Sequence, residues 1–198
     1  MNLGKKIIFL GLILTFVIIA MAMFSFASEE KDYINRALKL IDEEKYNEAM
    51  GELEEALALI RNKASLELVN LFFCEELPQM FGIYNPRENT IFGPEDTLFF
   101  YGEPKNCTYK EIQEGLYQMH FKVEIYLLDS DNNVLTGEMN YLDFPLTSRA
   151  RNSEIFIFDE IPVKQLDLSP DNYKFRFILK DALSQKTTEA TIDFTVVE

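Results

Sequence analysis

A change of hydrophobic period at residue 66 constrains this fold more than any other feature of the chain. Between Asp32 and Lys63 apolar side chains recur at helical intervals, whereas beyond Leu66 they recur at every second position. A helix gathers the first spacing into one stripe, and a strand gathers the second onto one face. The expected class is therefore α+β, with two amphipathic helices broken near Glu43-Glu44-Lys45 and an antiparallel sheet domain after them.

Strand periodicity is clearest from Tyr117 to Leu127. Tyr117, Met119, Phe121, Val123, Ile125 and Leu127 alternate with Gln118, His120, Lys122, Glu124 and Tyr126, so one face is buried and the other wet. Tyr173, Phe175, Phe177 and Leu179 repeat the pattern. Thr188, Ala190, Ile192, Phe194 and Val196 repeat it again after a turn around Asp181 to Lys186, closing the domain as a hairpin. Shorter strands are expected at Leu66 to Cys74, an apolar segment whose pattern fits strand or helix and is read as strand, and at Asp96 to Tyr101, Val134 to Tyr141 and Glu154 to Phe158. About seven strands at this spacing predict an immunoglobulin-like β-sandwich, and 17 Phe and 9 Tyr supply ample aromatic surface for its core.

The N-terminus carries an address. Lys5 and Lys6 precede an uncharged run from Ile7 to Phe24, followed by Ser25-Phe26-Ala27. This is the pattern of a secretory signal. Cleavage after Ala27 would release the body of the chain, and retention of the run, about 27 Å long as a helix, would anchor it in a bilayer. Both versions place the body outside the cytoplasm, in the periplasm or beyond it. The expected divisions are residues 1–27 as signal peptide or anchor, 28–65 as helical hairpin and 66–198 as sandwich.

The hairpin has a further regularity. Ala37, Ala49 and Ala56 stand at offsets of twelve and seven, with Tyr33, Leu40, Tyr46 and Leu53 interleaved. This register resembles a tetratricopeptide repeat, in which small residues let two antiparallel helices approach and larger ones fill the spaces beside them. Only one copy is present, and Arg61 stands where a closing proline is usual. The resemblance implies protein–protein contact rather than chemistry. Farther on, Phe81-Gly82-Ile83-Tyr84, Phe92-Gly93-Pro94-Glu95, Tyr101-Gly102-Glu103, Ser169-Pro170-Asp171-Asn172-Tyr173 and Phe194-Thr195-Val196 follow in an order similar to an uncharacterised sandwich domain of exported bacterial proteins. That likeness implies a fold and no activity.

Composition and motifs narrow the function. Net charge is −14, and loss of Lys5 and Lys6 would leave 17 basic against 33 acidic residues, which excludes a nucleic-acid partner. The single histidine, His120, lies on the polar face of a strand without a nucleophile arrangement near it. Phosphate loop, His-Glu-x-x-His helix and Gly-x-Ser-x-Gly elbow are all missing. Asp129, Asp131 and Asn133 open like a calcium loop, but Val134 replaces the required glycine and Asn140 the closing glutamate, so a hairpin turn is expected. Neither enzyme activity nor cofactor nor metal is expected.

Cys74 and Cys107 are the sole cysteines. An even pair in an exported chain is a disulfide candidate, with two reduced buried thiols as the alternative. The expected role is a non-catalytic interaction or structural module with a protein partner in the cell envelope. Membrane contact is expected only through an uncleaved N-terminal segment. The competing expectation is a sandwich that binds a glycan or cation.

Overall fold

The computed structural model describes residues 28–151 and 154–198. The chain divides into two compact units, Met1–Ile60 and Arg61–Glu198. The expected signal or anchor lies outside the described residues; among the described ones, no helix is long and apolar enough to cross a membrane.

In the first unit, helix α1 (Glu29–Asp42) opens with Glu29, Glu30 and Asp32 and carries Lys39 in its last turn, complementing the helix dipole at both ends. It closes through Glu44, whose φ of 60° is left-handed. The Glu44 amide donates to the Ile41 carbonyl at 3.0 Å and the Lys45 amide to that of Leu40 at 2.8 Å, satisfying carbonyls the helix end would otherwise leave open. Helix α2 (Tyr46–Lys63) starts directly after this turn. Where the helices cross, Ala37, Ala49 and Ala56 are 0%, 2% and 2% exposed. The Arg36 guanidinium pairs with Glu52 at 2.7 Å and lies over the Tyr33 ring.

The large side chains depart from expectation. Tyr33 and Leu40 are half-buried, but Tyr46 and Leu53, expected to fill the space beside the crossing, are 61% and 38% exposed. Helical geometry explains the difference. At about 100° per residue, Tyr46 and Leu53 lie to one side of the Ala49–Ala56 line, together with Met50, Leu57 and Ile60. Among the described residues of the hairpin, none covers that side. The opposite side is a shallow groove with Tyr33, Leu40 and Gly51 in its lining and charged residues such as Arg36, Lys39, Glu48 and Glu52 around them.

The second unit holds nine strands among the described residues. Strands β1 (Glu67–Cys74), β3 (Thr97–Lys105) and β7 (Ile157–Pro162) form a three-stranded antiparallel sheet in the order β1-β3-β7. The larger sheet runs β2 (Ile91–Phe92), β9 (Thr187–Val196), β8 (Asp171–Asp181), β5 (Leu116–Leu128) and β4 (Lys110–Gln113), with β6 (Val134–Ser148) also paired to β5. Inner residues of both sheets share one core: Leu68, Phe73, Leu98, Phe100 and Ile157 meet Met119, Phe121, Val123, Phe177 and Phe194.

The alternation expected along β5 is observed from Met119 to Leu127 except at Glu124, which was expected on the wet face but is buried, accepting hydrogen bonds from Lys180 and Tyr126. Strands β2 and β4 were not expected, since two and four residues are too short to display a period. Strand β2 also runs parallel to β9, so the pairing is not antiparallel throughout. Strand β6 continues past Tyr141 to Ser148, with Leu142, Phe144 and Leu146 leaning on the core and Pro145 tolerated because the strand is at the sheet edge. Gly137 in β6 lies opposite Tyr126, where a Cβ would come within 2.3 Å of the tyrosine ring.

Strand β1 contains a bulge. Asn70 has a φ of 51°, and the register with β3 shifts between Val69 and Phe72. One extra residue changes the parity of the strand. Leu66 and Leu68 point into the core before it, and Leu71 and Phe73 after it, which places Phe72 on the outer face.

The same ladder corrects the expected disulfide. Glu67 faces Lys105 and Cys74 faces Phe99, so Cys107 lies beyond the opposite end of β1 from Cys74. Seven residues of strand separate the two ends, roughly 20 Å or more, whereas bonded cysteines need Cα atoms within about 7 Å. Both thiols are free and buried. Burial pushes Cys74 up to about 11 and Cys107 up to about 12, the latter helped by the nearby Asp181 carboxylate. Native protein should therefore resist iodoacetamide near neutral pH, and unfolding without reductant should expose two alkylatable thiols per chain. A linked Cys74–Cys107 peptide in a non-reducing digest would contradict the register.

Candidate functional site

Each unit presents one surface whose chemistry differs from that of an ordinary solvated face. On the hairpin it is the open apolar side. Leu38 and Ile41 of α1 and Tyr46, Met50, Leu53, Leu57 and Ile60 of α2 are each between 38% and 61% exposed. Rotation about each helix places the two groups on the same side of the hairpin, opposite the Arg36–Glu52 pair.

On the second unit the outer face of the three-stranded sheet carries a buried polar network. Tyr101 and Glu103 alternate with the core residues Phe100 and Gly102, so they point away from the core, yet they are 0% and 5% exposed. The connection between β1 and β2, residues 75–90, covers them. The Tyr101 hydroxyl donates to Glu103 Oε1 at 2.9 Å and accepts the Gly82 amide at 3.1 Å. Lys105 Nζ reaches Glu103 at 2.7 Å and sits 4.7 Å over the Phe81 ring. The Asn70 side chain, brought round by the bulge, also bonds Glu103. Burial alone would raise the Glu103 carboxyl, but hydrogen bonds from Lys105, Asn70 and Tyr101 outweigh it and hold the group below the usual carboxylate range. Burial pushes Tyr101 up to about 12. The landmark Phe81-Gly82-Ile83-Tyr84 is thus a strap fastened by one amide and two rings.

Aromatic rings continue the row. Tyr84 packs on Tyr101 at 4.4 Å, Tyr101 on Phe156 at 5.5 Å and Phe156 on Phe158 at 5.1 Å. The row ends at a cleft of about 600 Å³ walled by Phe144, Leu146, Ile155, Phe156 and Phe158, with Arg151 and Glu154 beside them. The Tyr141 hydroxyl donates to the Asp159 carboxylate, joining edge strand β6 to edge strand β7. Burial, and then that carboxylate, push the Tyr141 phenol well above its ordinary range.

The chemistry-bearing residues of the sequence are occupied in structural roles. His120 Nε2 lies 2.5 Å from Asp143 Oδ1, and Lys122 Nζ lies 3.0 Å from its other oxygen, all on the outer face of the large sheet. Asp129 Oδ1 accepts the amides of Asp131 and Asn133, and Oδ2 accepts the Asn133 side chain, so this carboxylate closes the turn after β5. Among the described residues, no three His, Cys, Asp or Glu are gathered as a metal site would need. Cys107 and Tyr109 border a separate polar hollow of about 420 Å³ with Arg61, Glu67 and Lys105. Lys186 spans its neighbourhood by donating to the carbonyls of Arg61 and Asn106.

No known protein family's sequence pattern matches the chain, and no curated protein matches it. Function therefore has to be read from these surfaces.

Sequence reasoning marked Tyr101 and Glu103 only as landmarks. A signal was present: Tyr101, Glu103 and Lys105 stand at alternate positions of one strand, so a hydroxyl, an acid and a base share a face. That the strap would bury them was not visible in the spacing.

A depressed carboxyl contributes stability above its unfolded-state value and loses it as pH falls through its folded-state value. Wild type should therefore outlast Glu103→Gln in thermal melts near neutral pH, and the gap should close as pH falls through and below the ordinary carboxylate range. A gap unchanged from pH 7 to pH 3 would mean that the Glu103 charge is not what fastens the strap.

Proposed function

We propose that the chain is an exported cell-envelope protein that acts as a non-catalytic interaction or structural module. In this reading a tetratricopeptide-like hairpin supplies the contact surface, and an immunoglobulin-like sandwich is the rigid body that carries it. The observation that supports the reading best is the open apolar side of the hairpin. Its seven large side chains expose roughly 600 Å² together, at the top of the range of about 300–600 Å² for the largest patch on a typical monomer, a patch that is often functional. Water contact with that much apolar surface is costly, and a protein partner would remove it. Address comes from Lys5, Lys6 and the Ile7–Phe24 run.

A second reading, a ligand-binding sandwich, has one observation in its favour: the aromatic row ends in an open cleft with one guanidinium and one carboxylate at its rim. For a cation, the Arg151 guanidinium opposes the attraction of the Glu154 carboxylate, whereas a glycan could stack on Phe156 and Phe158.

Affinity capture from envelope extract separates the two. Partner recovery should fall sharply for Leu53→Glu/Leu57→Glu and remain unchanged for Phe156→Ala. Recovery lost only in Phe156→Ala would move the function to the cleft.

A further inference from the structure

The open side of the hairpin has a period that identifies what it can receive. Tyr46, Met50, Leu53, Leu57 and Ile60 are spaced four, three, four and three residues apart, the repeat of a helix seam built to pack against another helix. Leu38 and Ile41 of α1 border the same side, so the two helices offer a broad apolar floor rather than one ridge. We infer that this floor is occupied by the same floor of a second copy, two hairpins closing into a four-helix bundle around a twofold axis. The inference rests on the interaction reading above and names its partner.

Area supports a second copy. Two such floors face to face would remove roughly 1,200 Å² from water, at the lower end of the range of about 1,200–2,000 Å² found for stable specific interfaces. Charge placement supports it as well. Residues 28–60 hold ten acidic and four basic side chains, yet Glu43, Glu48, Glu52 and Glu55 line the opposite side with Arg36 and Lys39. Like charges would therefore point away from the twofold axis. Glu30, Lys31, Asp42 and Glu54, which helical rotation places on or beside the floor, carry both signs. An anionic lipid surface is a poorer occupant, because the hairpin's net charge is negative and its margins carry no cluster of lysine or arginine. A twofold arrangement also explains why one hairpin suffices. The layer that a following repeat would supply in a longer array comes from the partner.

Sedimentation velocity of the full chain, extracted from the envelope fraction in mild detergent, tests this directly. Wild type should sediment at twice the chain mass over a micromolar range and dissociate on dilution. Leu53→Glu/Leu57→Glu would set four carboxylates against one another in the bundle and should weaken association at least about a hundredfold. Both positions are partly exposed, so far-UV circular dichroism should show unchanged helix content in that variant. Glu48→Arg, on the opposite side, should remain a dimer. Wild type that stays monomeric at the highest concentration would overturn the inference, as would a dimer that persists in Leu53→Glu/Leu57→Glu. If a monomeric wild type still captured an envelope protein, and that capture were lost in Leu53→Glu/Leu57→Glu, the interaction reading would survive with a different partner.

Discussion

Three methyl groups set the geometry on which the hairpin depends. Ala37, Ala49 and Ala56 are closed off from water at the crossing of α1 and α2, and only side chains this small let helix axes approach to the near end of the usual 8–10 Å. Close approach has a consequence for the larger residues. With alanines filling the line between the helices, Tyr46, Met50, Leu53, Leu57 and Ile60 have no room there and turn to the open side. One packing choice thus both holds the hairpin together and creates the apolar surface through which it can work.

In the second unit, a comparable constraint falls on the outer face of the small sheet. Its inner face meets the large sheet through Phe100, Leu98 and Ile157, but a sheet has two faces. The strap of residues 75–90 covers the other, and Glu103 accepts hydrogen bonds from Tyr101, Lys105 and Asn70 beneath it. A carboxylate so enclosed is tolerated because its lone pairs are satisfied, and removing one donor would leave a costly charge. The bulge at Asn70 is part of the same device. It turns Phe73 inward, Phe72 outward, and delivers the amide that completes the network.

How much of this could be read from the sequence follows from length of pattern. Strand β5 was legible because its alternation of apolar and polar residues persists from Tyr117 to Leu127, and the helix break at Glu43-Glu44-Lys45 because charged residues interrupt a sustained stripe. The segment from Leu66 to Cys74 was ambiguous for a reason now visible: its inward residues are 66, 68, 71 and 73, a strand period interrupted by one residue. Strands β2 and β4 were too short to show any period, and Pro145 hid the second half of β6. The cysteine pairing failed because parity of count carries no information about register. Tyr46 and Leu53 were expected at the crossing from the spacing of the alanines, but helical rotation sets them to one side of the Ala49–Ala56 line, where they are exposed.

The alanine crossing is the claim on which the functional reading stands, and overpacking it is the most direct test. Ala49→Leu, followed by helical circular dichroism during denaturation, should destabilise the hairpin by about 1–3 kcal/mol, because the added carbons have no space between α1 and α2. Glu54→Gln on the surface is the matched control. An Ala49→Leu midpoint equal to that of the control would mean that Ala49 does not lie between the helices, and that the apolar side has been placed on the wrong face.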